Sequence, residues 1–551
     1  MHNNNLLELT NLLAEKRQLL TDVKQERANL SIIAAIKIID YACILGNVNG
    51  VLNKQEHKYW YEIFKTLSQG FYDLAIATYK QIDNSVLLPR TLPPQLINDT
   101  MQKLKDYSEL SFIKRFVDVA YHEHAKCSLV NETYIIEFPP YTSTTEIIET
   151  SSQAWLKKYL LKENNFDVGY SLADSILPTL DLLDNDLFYS QRVLDIYSNI
   201  AQPFSTTSLG FDYYSAEAKF GNVSFDLYRR VINELVAFSK LQQDLFLFNL
   251  KLRRIKPDEL TYLSPIITKQ SLIKFLHTRI AGEVNEIEEI LDTIIFDRRK
   301  IDKNIFPAGY ASPILTKIDP YKIILCMTAC LTNPFMYLHR CLKTSFPNDY
   351  VRAAADRETR FKFDIYSCFD APIVKVQTNF RIRDSKKNDQ TDIDATLYHK
   401  EEQILILVQL KWMEDWATDM RLRRNMKTEF ENKINKWLSV VDNYLANENI
   451  QLLNQRLKLK GINKSTQVYK LVIGKHFTHF DGLKRETTTF YLNWATLFKL
   501  LTDNPKSKSS LQHFINEMKK INIYDEAQSL TDTLTDTDFE IGSLKVKLVM
   551  K

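Results

Sequence analysis

The sequence predicts an α+β protein that is mostly helical. A large α-helical body is expected over residues 1–345, a compact α/β domain over 346–505, and a tail over 506–551. Three observations carry this. Glycine is scarce, at 12 in 551 residues, and such text favours helices over tight backbone turns. Apolar residues recur at helical spacing to about residue 345. After Pro347 the pattern changes to short apolar runs set between helical stretches, as in an α/β unit.

Residues 5–30 read as one amphipathic helix, with Leu6, Leu9, Leu13, Leu20, Val23 and Leu30 near a heptad stripe. Lys16 and Arg27 interrupt the stripe, so both a dimerising coiled coil and packing within the body are open. Breaks are expected at Pro89–Pro94, Pro139-Pro140, Pro203 and Pro307. A strand is expected at Thr133–Phe138, and an irregular insertion at Phe204–Phe225. The apolar stretches Ile32–Leu45 and Ile323–Leu338 read as buried helices: the first carries Lys37 and Asp40, the second Asn333 and Pro334. Met1–Asn5 begins no signal-like pattern.

In the second part, a helix over about 349–369 leads to a strand at Ile373–Arg383. Two further strands follow, then a basic helical region over 417–459. Strands at Val468–Gly474 and Thr487–Leu492 and a helix at Asn493–Leu501 complete the unit. Tyr524–Glu540 is acidic, lacks Lys and Arg, and is expected to be mobile. Leu544–Lys551 alternates apolar residues with Lys and could add an edge strand.

Composition excludes several functions. No Gly-x-Gly and no glycine before Lys-Ser or Lys-Thr occurs, which removes the common nucleotide-binding loops. The six cysteines form no Cys-x-x-Cys and read as reduced core residues of a cytoplasmic protein. Cys326 and Cys330 stand four apart on an apolar helix. His122-Glu123-His124 and His476-x-x-His479 lack partners at zinc spacing. The net charge of +3 is uneven: residues 351–500 hold 26 Lys and Arg against 19 Asp and Glu, leaving 45 against 49 elsewhere. A polyanion partner suits that segment.

The richest chemistry lies in Thr391-Asp392-Ile393-Asp394-Ala395-Thr396-Leu397-Tyr398 and Gln403-Ile404-Leu405-Ile406-Leu407-Val408-Gln409-Leu410-Lys411. Alternate side chains of a strand share a face. Asp392, Asp394 and Thr396 therefore point one way, and Gln409 and Lys411 share a face on the next strand. A four-residue link, Lys400–Gln403, sets Asp394 opposite Gln409 and Asp392 opposite Lys411. A half-exposed hairpin carries such residues on its wet face without any chemistry. Asp394 and the Gln409 oxygen could instead hold a hard cation, and Lys411 could hold a water and offset charge on phosphorus. Glu358 falls in line with the stripe Val351, Ala354, Phe361, Ile365 and Cys368. It would then need a partner such as the metal or Lys411, unless Arg357 or Arg360 supplies one or it reaches solvent.

A helix with an inward Glu, then x-D-I-D-x-L, then an apolar strand ending in Q-x-K, resembles the PD-(D/E)xK nuclease superfamily over roughly residues 350–505. The resemblance implies a restriction-endonuclease-like domain and Mg2+-dependent (or Mn2+-dependent) cleavage of nucleic acid, DNA before RNA. It makes Asp394 the metal-binding Asp and Lys411 the catalytic Lys. Gln409 takes the usual acidic position and Glu358 becomes an auxiliary acid. Gln409 is the departure, since neutral Gln brings one weaker oxygen where Glu brings a charge.

Trp412 and Trp416 flank the motif. Arg421, Arg423, Arg424 and Lys427 follow, either to engage phosphates or to pair with Glu429 and Glu431. No membrane partner is expected, and a homodimer would give two sites for two strands. Bacterial defence against phage is the setting this architecture suggests by analogy. The rival expectation is a non-catalytic nucleic-acid-binding or scaffolding protein with a degraded nuclease fold.

Overall fold

A computed structural model describes residues 2–22, 28–47, 54–79, 92–121, 125–138, 152, 155–156, 176–180, 189–207, 214–252, 260, 263–301, 313–332, 334–376, 380–383, 388–412, 420–447, 455–476, 478, 487–520, 537–541 and 543–550. The chain is α+β and mostly helical.

In the first part, one large core joins the helices Ala28–Asn47, Phe71–Tyr79 and Phe225–Lys251 to shorter elements up to Ala353. Among the described residues, one helix is long and apolar enough to cross a membrane, Ala28–Gly46, and it is wholly buried inside the chain. Its two charges are satisfied locally. The Lys37 ammonium donates to the carbonyls of Leu260 (3.2 Å), Ser264 (3.3 Å) and Leu263. Asp40 accepts from Ser264 Oγ and from the N–H groups of Met327 and Thr328 at 2.7–2.8 Å, capping the helix Met327–Thr332. Cys326 and Cys330 are buried in this core, and no disulfide links them.

Several expectations for this part are corrected. The stretch expected as one helix is helical over His2–Asp22 and from Ala28 in Ala28–Asn47, and residues 23–27 lie outside the described residues. Leu6, Leu9 and Leu13 pack against Leu110, Ile113 and Val117 within the chain. The helix Gln191–Thr207 runs through Pro203 without a break. Lys219–Ser224 forms a small hairpin where an irregular insertion was expected. A four-stranded sheet (Ile266–Thr268, Lys322–Leu325, Leu315–Lys317, Ile295–Phe296) lies inside the helical body. The strand Thr133–Phe138 forms as expected. Pro89, Pro139, Pro140, Pro307, Val23, Arg27 and the His122–His124 triplet lie outside the described residues.

The α/β unit begins with α1 (Pro347–Ala355) and α2 (Arg357–Ser367), parted at Asp356. Short strands β1 (Val374–Lys375), β2 (Phe380–Arg383) and β3 (Asp389–Ile393) follow. Next come β4 (Ala395–His399), β5 (Ile404–Lys411) and the long helix α3 (Met420–Asn447). β6 (Gln467–Gly474), β7 (Thr489–Asn493), α4 (Trp494–Asp503) and α5 (Leu511–Lys520) complete it. The sheet order is β7-β6-β5-β4-β1, with β5, β6 and β7 parallel and β4 antiparallel to both neighbours.

Each face of this sheet is covered. Ala395, Leu397, Ile406, Val408 and Leu410 face Phe361 and Ile365 of α2, Leu497 of α4 and Phe514 of α5. Leu405, Leu407 and Val472 face Phe430, Ile434, Trp437 and Val441 of α3. Buried on both sides, β5 needs its near-continuous Ile/Leu/Val text. Asn493 caps α4 by accepting from the Thr496 N–H at 2.8 Å.

The tail differs from expectation as well. Leu511, Phe514, Ile515 and Met518 are core residues of the α/β unit, so its packing extends past residue 505. Thr537–Ile541 and Leu544–Met550 form strands. The second lies between the first and Thr133–Phe138, so it is internal to its sheet instead of an edge. Residues 521–536 lie outside the described residues.

Candidate active site

The β4–β5 hairpin pairs His399 with Ile404 and Ala395 with Val408. Continued by one residue, that register sets Asp394 beside Gln409, as the four-residue link predicts. The Asp394 N–H donates to the Val408 carbonyl at 3.1 Å. One carboxylate oxygen, Oδ2 of Asp394, accepts both the Gln409 side-chain amide and the Leu410 N–H, the latter at 2.7 Å. Asp394 is 7% and Gln409 2% exposed. Burial raises the Asp394 carboxyl to about 7, against the lowering pull of the Leu410 N–H. Asp392 and Glu358 raise it further and Lys411 lowers it, so these charges act on a common point.

Asp392 is not opposite Lys411. The chain changes sheets at Asp394: β3 pairs with β2, and Asp392 stands opposite Arg381. The cause is packing. Ile393 enters the core beneath α3, whereas Ala395 enters the core beneath α2. The Trp437 indole N–H fixes this switch by donating to the Asp392 carbonyl at 2.9 Å.

Glu358 is not buried. It stands in the first turn of α2, in line with Phe361 and Ile365, but the buried residues of that helix are Arg357, Phe361, Lys362, Ile365 and Tyr366. Glu358 is exposed, and Val351 is 67% exposed. Glu358 therefore reaches Asp394 through its field and needs no buried partner. Arg421, Arg423, Arg424 and Lys427 fall on the helix α3, but their side chains lie outside the described residues, as do Trp416 and His479.

Sequence reasoning missed three buried cations around the hairpin end. Lys362 is buried on α2, within reach of the Asp394 charge. Lys475 follows β6; its N–H donates to the Lys411 carbonyl at 3.0 Å. Its ammonium lies 4.9–5.6 Å from the ring centres of Trp494, Phe361 and Trp412, and burial pushes it well below the usual lysine range. Arg357 stands 5.4 Å from the Trp412 ring, 5.2 Å from Tyr350 of α1 and 5.6 Å from Tyr214 of the first part. Such cation–aromatic contacts join the two parts beside the hairpin end. The alignment of β5 with β6 was a usable signal, because parallel strands ending level place Gly474-Lys475 next to Lys411.

The donors that converge are one carboxylate, on Asp394, and one amide, on Gln409. Among the described residues no three His, Cys, Asp or Glu side chains come together as a metal group. This thin set fits Mg2+, which takes few protein ligands and fills its shell with water and substrate phosphate. No protein-family model, curated protein or solved structure matches the chain.

Proposed function

We propose that the α/β unit hydrolyses nucleic-acid phosphodiester bonds, DNA by preference, as a nuclease of PD-(D/E)xK type. The observation that carries this is the meeting of Asp394 and Gln409 at the end of β4 and β5, with Lys411 two residues further along the same strand face. Asp394 and the Gln409 side-chain oxygen would hold the divalent cation, which supplies Lewis acidity toward the scissile phosphate. Lys411 orients the attacking water and offsets the negative charge that grows on the phosphoryl oxygens. The Leu410 N–H fixes the Asp394 carboxylate while these groups act. Lys475 and its aromatic cage hold the neighbouring strand end, so the Lys411 backbone keeps its place.

The helical body would recognise the partner or signal, in the cytoplasm, where six reduced cysteines are stable; phage defence is a fitting context. The test is incubation of the protein with plasmid and single-stranded oligonucleotide in Mg2+ or Mn2+, beside Lys411→Ala and Asp394→Asn. Cleavage by the wild type, lost in both variants, supports the nuclease. Absence of wild-type cleavage under all these conditions overturns it.

One observation favours a second reading. Gln409 uses its amide to tether Asp394 and adds no charge, as in a unit that has kept a nuclease-like fold for binding alone. Retarded but intact DNA in the same assay supports this binder.

A further inference from the structure

The second helix of the α/β unit runs alongside β4 with matched spacing. The Tyr366 hydroxyl accepts from the Thr396 N–H at 2.9 Å and donates to the Val376 carbonyl at 2.5 Å. One helical turn before Tyr366 is Lys362, and two strand residues before Thr396 is Asp394. A helical turn rises about 5.4 Å and two strand residues about 6.7 Å. The two ladders therefore stay in step, and Lys362 comes level with Asp394. Burial lowers the pKa of the Lys362 ammonium and the Asp394 charge pulls the other way, while that ammonium sits 5.8 Å from the Tyr366 ring. One further turn back, exposed Glu358 also acts on Asp394.

We infer that Lys362 belongs to the site as a second ammonium beside Lys411, and that it makes divalent-cation loading of Asp394 depend on a nucleic-acid phosphate. This rests on the cation-binding part of the proposed function. The charge count is simple. One buried carboxylate faces two lysines, while Glu358 and Asp392 are exposed and screened by solvent. A divalent ion added to that set meets a surplus of positive charge. A phosphate from the substrate supplies the missing negative charge, so cation and nucleic acid enter together. Lys362 acts here through Asp394 and the ion, as a positioning residue.

The test is Mn2+ binding to the full chain, read by electron paramagnetic resonance of the free ion. It is run with and without a phosphorothioate single-stranded oligonucleotide that resists cleavage. Wild type should bind Mn2+ weakly alone and at least about tenfold more tightly with the oligonucleotide, the effect expected of one unit charge roughly 6 Å from a divalent ion even at the dielectric of bulk water. Lys362→Met should bind Mn2+ about tenfold more tightly than wild type without nucleic acid, by the same estimate. Lys362→Arg keeps the charge and should behave as wild type. Lys362→Gln serves if the Met variant does not fold, as judged by thermal melting.

Equal Mn2+ affinity in wild type and the neutral variants, with Asp394→Asn weakened, overturns the role of Lys362 and leaves the cation site standing. Wild-type affinity in Asp394→Asn removes the ion from Asp394 and overturns both. The expected Mn2+ results without plasmid cleavage by wild type sink the nuclease alone.

Discussion

Gln409 donates its side-chain amide to the Oδ2 of Asp394. The residue standing where a second acid would serve a metal instead restrains the first acid. Replacing the amide by a carboxylate exchanges a hydrogen bond for like-charge repulsion in a buried place. At pH 8, where Asp394 is ionised, Gln409→Glu should therefore lower stability by about 3–5 kcal/mol in a chelator, the usual cost of an uncompensated buried charge. Millimolar Mg2+ or Mn2+ should restore much of the loss. Thermal melting with and without divalent ion checks this. A variant as stable as wild type in chelator, and indifferent to the ion, would count against a cation site.

The Asp394 carboxyl gives stability a second pH signature. It keeps its proton to about pH 7 in the folded chain, against 3.8 for an ordinary Asp. Between these values the folded state binds more protons than the unfolded state, so stability falls as pH rises through that window. Asp394→Asn cannot ionise. It should match wild type near pH 4 and exceed it at pH 8 by up to about 3 kcal/mol, allowing for imperfect hydrogen bonding. Urea unfolding at both pH values reads the difference, and a constant gap would refute the assignment. The same variant should lose nucleic-acid cleavage, so stability and function trade at this residue.

His339 works in the opposite sense. It is buried between Tyr214, bonded to Nδ1 at 2.9 Å, and Tyr350, bonded to Nε2 at 3.4 Å. Burial pushes its pKa well below 6.5, and Arg357, Arg340, Lys343 and His476 add to the depression. Below pH 6.5 the unfolded chain takes a proton that the folded chain refuses, so stability drops as the solution is acidified and is untouched above that point. The wild-type loss through His339 approaches about 1.4 kcal/mol per pH unit below 6.5. His339→Leu should remove that slope while costing about 1–2 kcal/mol for two hydrogen bonds at pH 8. Denaturation from pH 8 to pH 5 separates the two effects; an unchanged slope would place the titration elsewhere.

Leu544, Val546 and Leu548 are buried against Leu6, Leu9 and Ile136. Deleting residues 537–551 strips those side chains and leaves Thr133–Phe138 without its parallel neighbour. At roughly 1.5–3 kcal/mol per buried apolar side chain, the loss is about 5 kcal/mol or more. Limited proteolysis should cut the shortened chain first around residues 126–138 while the large central core persists. Equal resistance in both chains would show that this sheet contributes little.

Much of the hairpin was legible because a strand repeats every two residues and a four-residue link leaves one register. Asp394 beside Gln409 follows from that alone. The helix starting at Asn493 was expected, but the cap that Asn493 provides was seen only in the structure. Glu358 misled because lying in line with Phe361 and Ile365 does not fix burial in the first turn of a helix, where Glu358 is exposed. Lys362 and Lys475 escaped notice since a buried lysine and a solvated one look alike in sequence; only the packed helix and the aromatic cage tell them apart. The sheet containing Ile295–Phe296 and Ile266–Thr268 has strands too short for alternation to register. Asp392 facing Arg381 needed a change of sheet that no local pattern announces.

The strand Thr133–Phe138 takes as its parallel neighbour a segment more than 400 residues later, Leu544–Met550. During synthesis the earlier strand leaves the ribosome long before its mate exists, with one edge open to wrong partners. Tyr134 and Ile136 gain their parallel neighbours only once residues 544–550 have been made. A copy lacking residues 544–550 would keep that edge of Thr133–Phe138 open to other strands.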